Sequence, residues 1–94
     1  DTRTLYGAEA KYLVALQLYK AHEYAAAEKE ILNFIEQSTP HAYWLARSFI
    51  LLSDVYVSMD KKLDARQYLL SLQQNYHADD DIEQMINERL EKLK

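Results

Sequence analysis

PHAYWLARSFILLSDVYVSM, residues 40–59, is the run in which apolar residues go all the way round a helix. Tyr43, Trp44, Phe49, Leu51, Leu52, Val55 and Tyr56 are too many large side chains for a single apolar stripe of roughly 100°. The segment reads as a central helix covered on at least two faces, and the flanking chain has to supply the cover. Upstream, Ser38-Thr39-Pro40 marks its start. A hydroxyl side chain accepts from the free amides of a first turn, and Pro at the first helical position gives up no bond it would otherwise make. Downstream, Asp60-Lys61-Lys62 interrupts the helix after Met59, with Asp60 expected as the N-cap of the next one.

The neighbours follow from the same periodicity. From Leu5 to Lys20 the positions Leu5, Ala8, Tyr12, Ala15, Leu16 and Tyr19 recur at steps of three and four, and Leu13, Val14 and Leu18 widen the stripe, which predicts a first helix buried on more than one side. Tyr24, Ala27, Ile31, Leu32 and Ile35 restart the pattern as a second helix, with Glu28, Lys29, Glu30 and Glu36 outward and with Ala25, Ala26 and Ala27 permitting close approach of another helix. Beyond the central segment, Leu63, Ala65, Leu69, Leu72 and Tyr76 predict a fourth helix. Ile82, Met85, Ile86, Leu90 and Leu93 form a narrow stripe, hence a fifth helix with one wet face. Asp79, Asp80 and Asp81 precede it and favour its N-terminus, with Asp80 and Glu83 at capping-box spacing. Connections of about three to six residues force antiparallel neighbours.

The totals agree with an all-α chain. Ninety-four residues make one domain, 1–94, and one Gly and one Pro against 49% apolar residues argue for helices joined by short turns. There is no Cys, so no thiol chemistry and no disulfide framework. The net charge of −4 offers no general attraction to phosphate backbones or anionic lipid. No apolar run approaches the ~18 residues of a membrane span. Position 1 is Asp rather than Met, which is expected of a processed or trimmed piece.

Shifting the chain by 38 residues superimposes Ala8 on Ala46, Val14 on Leu52, Ala15 on Ser53, Leu18 on Tyr56, Ala27 on Ala65, Ile31 on Leu69, Leu32 on Leu70 and Phe34 on Leu72. Small falls on small and large on large. A fixed period of that size predicts two copies of a helix hairpin, about 5–38 and 40–76, stacked so that the second covers the first, followed by a capping helix at about 80–93.

These residues resemble the tetratricopeptide repeat. Ala15, Tyr24, Ala27, Phe34 and Pro40 in the first copy, and Ser53, Tyr56, Ala65 and Leu72 in the second, fall at or near the family's small, aromatic, small, bulky and proline positions. The resemblance covers about residues 8–78, and the run LLSLQQNYHADDD, residues 69–81, looks like repeat ends in tetratricopeptide proteins of the bacterial cell envelope, of Bacteroides-like type. It implies a right-handed α-α superhelix that binds a peptide or protein on its concave face. By register that face holds Glu9, Tyr12, Leu16, Tyr19 and Lys20 from the first helix and Arg47, Ile50, Asp54, Val57 and Ser58 from the third. The subfamily that clamps a terminal carboxylate uses Lys and Asn where Tyr12 and Leu16 stand here, so that mode is not implied.

Catalytic and metal signatures are missing. His22-Glu23 begins like a zinc-protease helix, but the second His would fall at Ala26. The residues three before His22, His41 and His77 are Tyr19, Ser38 and Gln74, none of them the acid that a di-iron bundle requires. Asp79, Asp80 and Asp81 lack the spacing and the Gly of a calcium loop. Eight Tyr and one Trp have no basic cluster beside them longer than Lys61-Lys62, which argues against nucleic acid. The expectation is a non-catalytic, cofactor-free module that binds a protein or peptide. Tyr12 and Tyr19 either line the groove or pack on the third helix. The alternative is an architectural or self-associating segment of a longer repeat array, a homo-oligomer included.

Overall fold

The computed structural model describes residues 3–94, and five α-helices fill most of that span: α1 Leu5–Lys20, α2 Tyr24–Glu36, α3 Ala42–Ser58, α4 Lys62–Asn75 and α5 Ile82–Lys92. The chain is all-α, with no strand among the described residues. Each helix carries three-and-four apolar spacing, which buries one side of α1, α2, α4 and α5 and two sides of α3. α1 is started by Thr4, whose hydroxyl accepts from the Gly7 amide at 2.9 Å.

The turns are where the sequence expectations need correcting. α1 and α3 end alike, on a residue in left-handed backbone: His22 at φ 61° and Asp60 at φ 61°. Glu23 N–H donates to the Leu18 carbonyl at 2.9 Å and His22 N–H to Tyr19 at 3.0 Å, while Lys61 N–H donates to Tyr56 at 2.7 Å and Asp60 N–H to Val57 at 3.1 Å. These paired bonds close a helix on its last carbonyls. Asp60 is thus consumed in ending α3, and Lys61, which makes no side-chain capping bond, stands at the N-cap of α4 in its place. A side chain in this conformation costs about 1 kcal/mol that glycine avoids. Asp60→Gly is expected to raise stability by roughly 0.5–1 kcal/mol, a few degrees in the melting midpoint of a chain this size. His22→Gly should gain less, because the His22 ring stacks on Tyr24 at 5.7 Å and would be lost. Thermal unfolding followed by circular dichroism checks both.

Two other helix starts shift. α3 begins at Ala42, beyond Pro40, because Ser38 takes left-handed backbone at φ 53° to end α2 and the chain uses Thr39 to His41 to swing back. The Thr39 hydroxyl accepts from the His41 amide at 3.2 Å within that bend rather than from the first turn of α3. At α5 the N-cap is Asp81, so Glu83 is one position short of capping-box register; Asp80 Oδ1 instead accepts from the Ile82 amide at 2.9 Å.

Packing arranges α1, α3 and α5 side by side, α1 against α3 and α3 against α5, with α2 lying across α1 and α3 and α4 across α3 and α5. The three side-by-side helices run in one direction. Just before the two helices the Arg3 carbonyl meets His41, and further on Tyr12 meets Trp44 and Arg47 of α3, while Asp81 meets Arg47 and Arg89 meets Asp54, so positions advance together along each pair. The result is a slab of 37 × 31 × 18 Å. Alanines sit where helices approach most closely: Ala8, Ala27 and Ala65 have no exposed surface. One core joins Tyr12, Ala15, Ala27 and Ile31 to Leu51, Leu52, Val55 and Tyr56, and a second joins Ala46 and Ile50 to Leu69, Leu72, Ile82 and Ile86. α3 contributes to both, from opposite faces.

Candidate functional site

The predicted stripe on α3, Arg47, Ile50, Asp54 and Val57, faces the space between α1 and α5. α5 divides it. Over the first half, polar and apolar contacts close the space. Arg47 Nη2 donates to the Tyr12 hydroxyl at 3.1 Å and Nη1 donates to the Tyr43 hydroxyl at 2.9 Å, which in turn donates to Asp81 Oδ1 at 2.9 Å. The guanidinium lies over the Tyr12 ring at 5.1 Å and the Tyr43 ring at 5.8 Å, and Trp44 packs on Tyr12 at 5.4 Å. Burial holds the Tyr43 hydroxyl above the usual tyrosine range, with Asp81 acting in the same direction against the pull of Arg47. The Tyr76 hydroxyl, donating to Asp80 Oδ2 at 2.6 Å, is pushed up to about 12 by burial and by that carboxylate. Both phenols are neutral donors at ordinary pH, and they tie α5's N-terminus to α3 and α4.

Over the second half an open cleft of about 890 Å³ remains. Tyr19 of α1 forms one wall, Ser53, Asp54 and Val57 of α3 with Leu69 of α4 the floor, and Glu88, Arg89 and Lys92 of α5 with Leu93 the other wall; Lys62 and Glu91 stand at the rim. Arg89 spans the floor with a two-pronged ion pair, Nε to Asp54 Oδ1 at 2.9 Å and Nη2 to Asp54 Oδ2 at 3.0 Å. With each partner about a quarter exposed, this fork is pre-oriented by geometry and screened less than a surface pair. The walls combine apolar area from Tyr19, Val57, Leu69 and Leu93 with charges of both signs. Such a lining suits an apolar anchor with polar flanks rather than a strongly charged ligand.

The residues expected on the concave face therefore separate. Tyr19, Asp54 and Val57 come together on the cleft. Tyr12 and Ile50 do not: at 6% and 1% exposure they are core, because Trp44 and Arg47 cover the first and Ile82 and Ile86 join the second in its cluster. Arg47 is occupied by the two phenols and Asp81. Leu16 is half-buried against the first core, Glu9 is half-buried on α1, and Lys20 and Ser58 are exposed at helix ends. The wall given by α5 was not among the expected residues. Its signal is in the sequence: Arg89 falls seven residues after Ile82, on the stripe that otherwise carries Ile86 and Leu93, and a cation on a buried stripe calls for an acid opposite.

Among the described residues no group of three or more His, Cys, Asp or Glu is placed to hold a metal ion, and no helix is long and apolar enough to cross a membrane. Comparison with protein-family models, with curated proteins and with solved structures finds no match to the chain.

Proposed function

We propose that the chain is a non-catalytic helical-repeat module of the tetratricopeptide kind, a right-handed α-α superhelix of two hairpins and a closing helix, that receives a peptide or protein segment in the cleft between α1, α3 and α5. The observation that carries this reading is the convergence of Tyr19, Asp54 and Val57 with the α5 wall around one open, mixed-polarity cleft. Supporting it, pairs of residues 38 apart, Ala8 with Ala46, Ala15 with Ser53, Ala27 with Ala65 and Phe34 with Leu72, are buried in both hairpins. A bound segment would place an apolar side chain against Tyr19, Val57 and Leu93, with its backbone polar groups near Lys62, Lys92 and the Asp54–Arg89 pair. Tyrosine suits such a wall, giving contact area and a polar tip for little entropy.

The test is selection of a phage-displayed peptide library on the immobilised chain, followed by titration of the selected peptides against three variants. Tyr19→Ala and Val57→Arg should each weaken binding by about tenfold or more. Leu63→Arg, at a position 81% exposed on α4 that does not line the cleft, should bind as the parent does, with the helical signal of all three unchanged. Peptides that bind the two cleft variants as tightly as the parent would refute the assignment.

A further inference from the structure

A second surface, independent of the cleft, has its occupant specified by the chain itself. α1 is apolar on two opposite sides. One side, Ala8, Tyr12 and Ala15, is buried. The other, Tyr6, Ala10, Leu13, Val14 and Gln17, follows the steps +4, +7, +8 and +11 of a single helix face and lies in water, with Tyr6 82%, Leu13 44% and Val14 48% exposed. Moved forward by 38 residues, this face becomes Trp44, Ser48, Leu51, Leu52 and Val55 on α3. There it is covered: Ser48, Leu51, Leu52 and Val55 are at most 3% exposed, and Trp44 is half-buried. The cover is the α1–α2 hairpin, which brings Tyr12 and Ala15 from one helix and Ala27 and Ile31 from the other. The five positions correspond in size, carry no charge in either copy, and differ in polarity chiefly at Gln17 in the place of Val55.

We infer that the exposed α1 face is a docking site for a helical hairpin of the α1–α2 type, one that presents a small residue and a large one from each of two antiparallel helices. A second copy of the intact chain cannot supply it. The α1–α2 surface of a copy is covered by its own α3, and the corresponding surface of α3–α4, around Ile50 and Leu69, is covered by its own α5. The occupant is a hairpin whose mating face is open, held against α1 as α1–α2 is held against α3.

The test uses the full chain with residues 1–38 fused directly ahead of position 1, which preserves the 38-residue spacing between hairpins. The expected result is a single unfolding transition with a midpoint raised by about 5 °C or more, since a docked repeat adds an interface to a coupled array. The pair Leu13→Glu and Val14→Lys, placed in the full-chain part, should abolish that gain. In the unfused chain, where both side chains face water, the same pair should move the midpoint by about 2 °C or less. The chain has no Cys, so Ala10→Cys in the full-chain part supplies a clean probe: thiol labelling should slow by about tenfold or more in the fusion. Two separate transitions, unchanged labelling, or a gain that survives the double substitution would each overturn the proposal. So would an unfused chain that sediments as a dimer and dissociates on Leu13→Glu, because the face would then belong to a second copy.

Discussion

Removing residues 79–94 is expected to make the rest of the chain associate or unfold. α5 covers Ala46, Ile50, Leu69 and Leu72 with Ile82 and Ile86 at the centre and Met85, Leu90 and Leu93 around them. Returning three large aliphatic side chains to water forfeits about 1.5–3 kcal/mol each, which approaches the whole stability of a typical domain, about 5–15 kcal/mol. The Asp54–Arg89 fork and the Arg47–Tyr43–Asp81 chain go with it, leaving Asp54 without its cation and Arg47 without its acid. Sedimentation and far-ultraviolet circular dichroism at several concentrations measure the effect. A truncated chain that stays monomeric and melts like the parent would show that α5 is an accessory and not a cover.

The second large effect compares two positions at one place in the 38-residue period. Leu52 has no exposed surface and sits where both hairpins meet, so Leu52→Ala should cost about 2–5 kcal/mol, the transfer loss plus a cavity the rigid helices cannot close. Its counterpart Val14 is 48% exposed, and Val14→Ala should stay within about 0.5 kcal/mol. In melting midpoint that separates a fall of more than about 10 °C from one of a few degrees at most. Equal effects at the two positions would mean that the outer face of α1 is already covered in solution.

Periodicity made the helices legible, because burying one side of a helix writes a three-and-four pattern that does not depend on the partner. The spans of α1 and α2 follow from it directly. Turn chemistry was less legible. Asp60 and His22 occupy left-handed backbone that is usually signalled by glycine, and neither residue announces this in sequence, so the end of α3 looked like the start of α4. The cleft was half legible. A helix that is apolar on two sides gives no sign of which side meets a neighbour, and so Tyr12 and Ile50 could not be told from Tyr19 and Val57 by spacing. Tyr12 is set apart by the cover of Trp44 and Arg47, and Ile50 by the path of α5, whose Ile82 and Ile86 pack in its cluster. That path is set by contacts between residues 35 and 38 positions apart, such as Asp54 with Arg89 and Tyr43 with Asp81.

The placement of α3 also sets the order in which the protein comes apart. α3 packs against all four other helices, whereas among the described residues α5 packs only on α3 and α4, and α1 only on α2 and α3. Apart from Arg47, which meets both Tyr12 and Asp81, and Leu93, which packs on both cores, opening at one end takes no contact from the other. α5 can detach while α1 and α2 stay folded, and α1 can fray while α4 and α5 hold, each at a fraction of the global free energy. Only the backbone amides of α3 have to wait for the whole chain to unfold before they exchange with solvent. A ligand in the cleft would touch α1, α3 and α5 at once, so it would add a second link between two ends otherwise joined through α3 and slow the opening of both.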